Sequence, residues 1–432
     1  MSTTKNLPLQ RSLELFARAQ RRIPGGSQTN SKRPAQFALG GYPIYAEQAS
    51  GGCITDVDGN EYIDLVQALG PVILGYRYPA VDAAIARQLE KGIIYGLLSP
   101  LEVECAELLG AVVPCAEMVR FFKGGGEATA AAARVVRGYT NRPLILNCGY
   151  RGWPDVWSVL NGDPGVPASL QGSVESFGEF DLDDLQHKFH AHRGQVAAVF
   201  LDIQRAEPPV GYLAAVKQLC HENGALLVFD EIVTGFRLAL GGMQAYCGVT
   251  PDLACFAKAL ANGMPLACVA GRADVMASMQ DRVISITYGG ETLSLAAAIA
   301  TLQAIRDKEV NAYLWQLGRQ LTEGLNRAAA DAAIPFVCGG LAPMTTMDFS
   351  AAPTDKDGQD TAALLWEYLL QEMAVRGVLL RRGGLNFLTF SHTAAQIDHV
   401  VAAAAEVFAN LRQLWDSTPL RAAVQARKTR IE

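Results

Sequence analysis

The chain has 432 residues, of which 50% are apolar and 19% charged, and its 37 Lys and Arg against 43 Asp and Glu give a formal net charge of −6. This composition argues against wholesale disorder, and a mildly acidic balance without basic tracts argues against nucleic acid as a partner. No apolar run approaches the ~20 residues that span a bilayer, and the N-terminal segment has no apolar stretch of a secretory signal. We therefore expect a soluble, cytoplasmic protein with no membrane contact.

The N-terminal part predicts a short helix followed by a β-hairpin. Leu13, Phe16 and Ala19 recur at helical spacing, and Pro-Gly-Gly at residues 24–26 closes the segment. Further along, Asp58-Gly59 separates two short apolar runs. Asp-Gly in this setting is a strong hairpin signal.

Between about residues 80 and 305, short apolar runs alternate with helical stretches such as EATAAAARVVRGY and YLAAVKQLCHEN. Strands separated by helices indicate βαβ units, hence an α/β fold with a mostly parallel sheet covered by helices on both faces. The predicted strands are Met118–Phe122, Leu144–Leu146, Val196–Ile203, Ala225–Phe229, Leu253–Phe256 and Ala267–Ala270.

After about residue 310, two long amphipathic patterns, VNAYLWQLGRQLTEGLNRAA and TAALLWEYLLQEMAVRG, have short strands between and after them. A final helix is predicted through QIDHVVAAAAEVFANLRQLW. We therefore predict a large domain over residues 79–310 and a smaller α+β domain over 311–432, to which the N-terminal segment 1–78 contributes.

Cysteine and histidine patterns give no sign of a disulfide framework or a metal. The nine cysteines are odd in number, widely spread and mostly beside apolar residues, which favours free thiols in a reducing compartment. His187, His190 and His192 cluster at the end of a predicted helix without a fourth ligand nearby. We therefore expect no metal site.

A glycine run follows the first predicted strand of the parallel region. Gly124, Gly125 and Gly126 let the backbone approach a ligand, and the N-terminus of the next helix offers N–H groups to an anion. The spacing suits one phosphate but is neither G-x-G-x-x-G nor a Walker loop. A plain tight turn is the alternative interpretation.

Two further strand ends carry Asp230 and Lys258. Ligands of parallel sheets bind at the carboxyl ends of the strands, and apolar surroundings favour the neutral, nucleophilic form of an amine. A turn-capping aspartate and a surface lysine are the alternatives, and Lys123 is the rival lysine. A phosphate cradle, an acid and a lysine together suit pyridoxal 5′-phosphate (PLP), which needs one of each.

The sequence resembles the class III (ornithine-type) PLP-dependent aminotransferases of fold type I, on the branch of glutamate-1-semialdehyde aminomutase. The likeness runs from Ile23 to Thr393 and rests on the stretches DVDGNEYIDLV, GPVILGY, GGGEATAAAARVVRGYT, VFDEIVTGFR, PDLACFAKALANGMP and GETLSLAAAIATL. It implies a PLP enzyme that moves an amino group from an amino-acid donor to an aldehyde or ketone acceptor.

The resemblance also implies roles for individual residues. Lys258 matches the Schiff-base lysine and proton carrier, and Asp230 matches the partner of the pyridine nitrogen. The remaining cofactor positions are Gly125 and Gly126 on the phosphate loop, Ile232 and Tyr150 on the two ring faces, and Thr287, which in the family reaches the phosphate of a second subunit. A homodimer with its active site at the subunit interface is thereby implied.

Departures from the family pattern bear on the substrate. The aromatic-His-Gly segment reads Tyr150-Arg151-Gly152 here, which makes Arg151 a candidate substrate contact. The aminomutase's substrate-binding Arg, Trp and Glu align with Lys32, Leu69 and Gly384, the other candidate contacts. Loss of these contacts, with a pocket that the smaller Leu69 and Gly384 should widen, favours an oxidised (amino)sugar acceptor, as in aminoglycoside biosynthesis. The alternatives are a 2,1-aminomutase and, of another class, a non-catalytic PLP-binding protein; the loop sequence disfavours a nicotinamide oxidoreductase.

Overall fold

A computed structural model describes residues 7–281, 283–351, 361–415 and 417–428. The chain divides into two compact units. The described residues of Met1–Leu69, Leu74–Tyr78 and Ala312–Glu432 form one, which we call the terminal unit. Those of Gly70–Ile73 and Pro79–Asn311 form the other, the central unit. Over the described ranges, no helix combines the length and apolarity needed to cross a membrane.

The described residues form the following strands and α-helices, numbered in chain order. The strands are β1 (Ala46–Ser50), β2 (Cys53–Asp56), β3 (Glu61–Asp64), β4 (Met118–Phe122), β5 (Leu144–Cys148), β6 (Val174–Ser176), β7 (Val196–Leu201), β8 (Leu226–Asp230), β9 (Leu253–Phe256), β10 (Ala267–Gly271), β11 (Phe336–Leu341), β12 (Met344–Phe349), β13 (Val378–Leu379) and β14 (Leu385–Phe387). The helices are α1 (Gln10–Gln20), α2 (Pro79–Leu89), α3 (Pro100–Val112), α4 (Gly125–Thr140), α5 (Asp155–Ser158), α6 (Leu182–Ala191), α7 (Tyr212–Glu222), α8 (Gly242–Cys247), α9 (Ala273–Ala277), α10 (Thr292–Asp307), α11 (Val310–Asp331), α12 (Ala362–Val375), α13 (Ala394–Gln413) and α14 (Ser417–Ala426).

A seven-stranded sheet in the order β4-β10-β9-β8-β7-β5-β6 forms the core of the central unit. Strands β6, β5, β7, β8 and β9 pair in parallel, whereas β10 pairs antiparallel with both β4 and β9. Every residue of β7, β8 and β9 is buried, as expected for strands covered on both faces. The mostly parallel sheet predicted from the sequence is therefore confirmed.

Helix α4 covers one stretch of this sheet through its small residues. Ala128, Ala132, Val135 and Val136 are fully buried and pack against β7, β8, β9 and β10. Alanine lets a helix lie close to a sheet, and its helix propensity is the highest of any residue. The glycine run at the start of α4 is thereby held beside the carboxyl ends of the parallel strands.

The terminal unit contains two small sheets. One has the order β1-β2-β3-β13, and it includes the predicted hairpin, in which β2 and β3 are antiparallel. The other has the order β11-β12-β14. An aromatic cluster packs between its strands and helices: Phe336 lies 5.0 Å from Phe408 and 5.4 Å from Phe349, between ring centroids, and Trp366 lies 5.6 Å from Phe349.

The elements predicted from the sequence are present with small shifts at their ends. The N-terminal helix is α1, and the three long C-terminal patterns form α11, α12 and α13. Strand β6, three residues long, was not predicted because it is too short to show a period. Strand β7 ends at Leu201, two residues before the predicted end at Ile203. Asp202 therefore lies directly after the strand and not within it.

Candidate active site

Lys258 follows β9 and opens a short 3₁₀ turn, Lys258–Ala261. Its φ of +43° lies in the left-handed region that side-chain-bearing residues rarely adopt. The flanking Ala257, Ala259 and Leu260 are buried and hold this backbone in place. Such strain persists only where the surroundings impose it, and it concentrates at functional sites.

Asp230 is the last residue of β8 and is only 6% exposed. It pairs with Cys255 of the neighbouring strand β9, three residues before Lys258. The Ile232 N–H donates to its Oδ1 at 3.0 Å. Burial raises the pKa of Asp230, while the charges of Arg151 and Lys258 and the Ile232 hydrogen bond lower it. The acid and the lysine therefore act on one another electrostatically across two adjacent strand ends.

Arg151 follows β5 and points its guanidinium at two carboxylates. Its Nη1 lies 3.5 Å from Asp230 Oδ2 and 3.6 Å from Asp202 Oδ2, and its side chain has no exposed surface. The aligned family position holds histidine, and Arg151 was a predicted substrate contact. In this structure its charge faces inward to the acids.

Gly125 and Gly126 form the first turn of α4, with Gly124 as its N-cap. The Glu127 carboxylate accepts from the N–H groups of Lys123 and Gly124 at 3.0 and 2.9 Å. The N–H groups of Gly125 and Gly126 lie in the first turn of the helix, where no intrahelical acceptor exists. They are the backbone donors available to an anion.

Ile232 packs directly on the glycine run. A Cβ on Gly125 would lie 2.7 Å from Ile232 Cδ1, so only glycine fits without movement of the isoleucine. This contact places the predicted ring-face residue against the predicted phosphate loop.

Tyr150 and Thr287 both lie at the surface of the central unit. Tyr150 is 72% exposed in the loop after β5. Thr287 is exposed in the turn Thr287–Gly290, which packs beside β4: a Cβ on Gly289 would lie 3.2 Å from the Phe121 carbonyl oxygen. The rival lysine, Lys123, instead donates to Glu291 Oε2 at 2.8 Å.

The predicted substrate contacts Lys32, Leu69 and Gly384 belong to the terminal unit. Lys32 is exposed, and Leu69 has a φ of +73°. At Gly384, a Cβ would lie 2.6 Å from Arg381 Cζ. The guanidinium of Arg381 therefore lies beside this glycine, and the widening of a pocket at Gly384 stays a prediction.

The residues of the central unit fit PLP. Gly125, which has no room for a Cβ, stands at the start of helix α4. The buried Asp230 ends strand β8, and Lys258, in a strained backbone, follows the neighbouring strand β9. These supply an anion cradle, a partner for a pyridine nitrogen and an amine for an aldehyde.

Asp202 is the site residue that the sequence interpretation missed. The predicted strand ran on to Ile203, so Asp202 was placed inside it. With β7 ending at Leu201, Asp202 occupies the same strand-end position as Asp230 on the neighbouring strand. The sequence signal that could have identified it is the single acid that interrupts the apolar run, between Leu201 and Ile203.

Comparisons with known proteins agree on one family. The family model "Aminotransferase class-III" matches residues 38–152 and 163–411. The chain is 35% identical over 428 residues to a glutamate-1-semialdehyde 2,1-aminomutase of Syntrophobacter fumaroxidans, covering 94% of this chain and 98% of the relative. It is 32% identical over 421 residues to a 3-aminobutyryl-CoA aminotransferase of Cloacimonas acidaminovorans, covering 95% and 99%. Among solved structures, the FumI protein of Sphingopyxis sp. MTA144, in its PLP internal aldimine form, superposes with a TM-score of 0.87 at 27% identity, covering 96% and 99% of the two chains.

Proposed function

Because the chain belongs to the class III aminotransferase family and is a PLP-dependent transaminase of fold type I, we propose that Lys258 and Asp230 carry its chemistry. The observation behind this proposal is their placement on adjacent strand ends, with Asp230 buried and Lys258 in a strained backbone. Bound PLP supplies an electron-poor ring that delocalises the negative charge left when an amino donor loses its Cα proton.

The protein groups have separate tasks in this proposal. The Lys258 amine would hold the cofactor through its aldehyde and, as a free amine, would move the proton at Cα of the donor as general base and acid. Asp230 holds a proton on the ring nitrogen through its negative charge. Gly125 and Gly126 donate backbone N–H groups to the phosphate, and Ile232 and Tyr150 cover the two faces of the ring.

The acceptor in this proposal is an aldehyde-bearing sugar, such as an oxidised aminosugar of aminoglycoside biosynthesis. The support is the resemblance: Lys32 stands where the aminomutase has an arginine. An ammonium on a flexible stem cannot grip a carboxylate with the planar, bidentate fork of a guanidinium. Leu69 and Gly384 likewise replace residues that contact the aminomutase's substrate.

A second candidate is a carboxylate-bearing substrate, as in the 2,1-aminomutase reaction. The observation that favours it is Arg381, whose guanidinium fills the space beside Gly384. Asn386 holds this loop: its Oδ1 accepts from the Arg381 N–H at 2.8 Å, and its amide donates to the Arg381 carbonyl at 3.2 Å. A guanidinium attracts carboxylates and repels a polycationic sugar.

Steady-state kinetics with the PLP-loaded enzyme separate the two candidates. The comparison is kcat/KM for a 6′-oxo aminosugar with glutamate as donor against kcat/KM for glutamate-1-semialdehyde without a donor. A preference for the sugar supports the first candidate. A preference for the semialdehyde that is lost in Arg381→Ala supports the second and removes the sugar proposal.

We also propose that the enzyme is a homodimer in which Thr287 serves the partner's site. The support is an exposed apolar segment on the central unit. Leu97 and Leu98 are each 86% exposed, and Ile93, Ile94 and Tyr95 are 45%, 40% and 42% exposed. A contiguous apolar surface of this kind marks a protein contact, and a second copy of the chain is the occupant that the resemblance implies.

Mixed dimers test this arrangement. Lys258→Ala and Thr287→Ala protomers, each impaired alone, are co-expressed with different affinity tags so that the mixed dimer can be isolated. If Thr287 acts on the partner, the mixed dimer has one intact site and regains about half of the activity per dimer. If the mixed dimer stays as inactive as its parents, Thr287 does not act across an interface.

A further inference from the structure

The cluster of Arg151, Asp202 and Asp230 contains two acids and one permanent cation, all buried. The two carboxylate side chains are each 5% exposed, and the guanidinium is fully covered. Because Arg151 Nη1 lies about equally far from both acids, at 3.5 and 3.6 Å, neither acid has the cation to itself. In a site so poorly screened by water, the distribution of charge among these three groups decides what Asp230 can do.

Hydrogen bonds to the backbone and to Gln204 hold Arg151 and Asp202 in place. The Arg151 guanidinium donates to the carbonyl oxygens of Cys148 and Tyr150, the latter at 3.0 Å. Gln204 Nε2 donates to Asp202 Oδ2 at 2.8 Å. Gly149 has a φ of +101° and packs closely on Asp202, because a Cβ on Gly149 would lie only 2.6 Å from Asp202 Cβ. Arg151 is therefore unable to turn away from either acid without losing buried hydrogen bonds.

Arg151 poses a problem for the role proposed for Asp230. A carboxylate holds a proton on a pyridine nitrogen through its negative charge. A guanidinium 3.5 Å away keeps Asp230 ionised but offsets that negative charge at the nitrogen. With Asp202 ionised, the cluster has charges of +1, −1 and −1, and one negative charge remains. With Asp202 neutral, the positive charge of Arg151 and the negative charge of Asp230 cancel, and the cluster has no net charge.

Resting on the proposed function, we propose that Asp202 is a positioning residue: its negative charge offsets that of Arg151, so that the cluster keeps a net negative charge beside the ring nitrogen of PLP. Asp202 touches neither substrate nor cofactor, and it acts by offsetting the positive charge of Arg151.

The titration behaviour of Asp202 is consistent with this role. Burial, and then the charge of Asp230, raise the pKa of Asp202 to about 7, while Arg151 and Lys258 lower it. Its ionisation therefore depends on how much positive charge lies nearby. A protonated ring nitrogen adds positive charge to the cluster and so favours the ionised form of Asp202.

The test measures ring protonation directly, by ¹⁵N NMR of the holoenzyme loaded with PLP labelled at the ring nitrogen. In the wild type we expect the resonance of a protonated ring. In Asp202→Asn we expect it to move toward the unprotonated position, with PLP affinity of the apoenzyme weakened at least about tenfold, the equivalent of one pKa unit. In Asp202→Asn/Arg151→Gln, which removes one charge of each sign, we expect the protonated resonance and most of the affinity to return.

A matched control is Gln204→Ala, which removes a neutral hydrogen bond from Asp202 but leaves every charge, and which should leave the resonance in place. An unchanged resonance in Asp202→Asn, or no recovery in the double variant, overturns the inference. Asp230→Asn separates this outcome from failure of the proposed function. If Asp230→Asn moves the resonance and Asp202→Asn does not, only the role of Asp202 is wrong; if neither moves it, the assignment of Asp230 is wrong.

Discussion

Gly125 and Ile232 are so close that a Cβ on the glycine would lie 2.7 Å from Cδ1 of the isoleucine. One residue starts helix α4 and the other follows strand β8, so this contact sets the distance between the phosphate loop and the strand that bears Asp230. The proposed cofactor site depends on that distance.

Gly125→Ala should therefore weaken PLP binding, because Ile232 must move aside for the new methyl group. Overpacking of this size costs about 1–3 kcal/mol, or roughly fivefold to 150-fold in affinity. Titration of the apoenzyme with PLP measures the change. Gly126→Ala is the control, since its Cβ would meet Pro154 at an ordinary 3.4 Å.

Ile232→Val should rescue Gly125→Ala, because it removes the Cδ1 atom that the new Cβ would strike. The double variant is expected to bind PLP more tightly than Gly125→Ala alone. If it binds no better, the loss arises from the helix backbone rather than from the contact between these two side chains.

Asp230→Asn should fold and bind PLP but lose turnover by about 10²- to 10³-fold. The amide has the shape of the carboxylate and still accepts the Ile232 N–H, so the strand end is preserved. It carries no negative charge to hold the ring proton. Single-turnover kinetics with an amino donor measure the loss, and near wild-type rates would remove Asp230 from the mechanism.

The stability of the cofactor-free protein should fall as pH rises through the titration of Asp202. An unfolded aspartate has a pKa near 3.9, whereas burial raises the pKa of folded Asp202 to about 7. Between these values the folded protein binds more protons than the unfolded chain, so the stabilising contribution is complete below pH ~4 and is lost on the way to pH ~7.

Urea unfolding of wild type and Asp202→Asn at pH 5 and pH 8 isolates this contribution. The free energy of unfolding of the wild type, relative to the variant, should be lower at pH 8. An unchanged difference between pH 5 and pH 8 would show that Asp202 is ionised in the folded protein at both values and would contradict the raised pKa.

Much of this arrangement could be predicted from local sequence, because buried parallel strands are uninterrupted apolar runs and the residue after each run lies at the ligand edge of the sheet. Asp230 and Lys258 followed from that pattern. Asp202 did not, because Ile203 continued the apolar run and hid the end of β7. The inward turn of Arg151 depends on two acids that lie more than 50 residues away along the chain, and the Arg381 side chain beside Gly384 depends on loop geometry that no local period encodes.

The identity of the lysine that carries the cofactor is the central claim, and one measurement tests it most directly. Purified enzyme incubated with PLP is reduced with sodium borohydride, digested and mapped by mass spectrometry. The added pyridoxyl mass is expected on Lys258; it should persist in Lys123→Ala, which loses only the 2.8 Å ion pair with Glu291, and disappear in Lys258→Ala. A pyridoxyl group found on Lys123, or one retained in Lys258→Ala, would contradict the account.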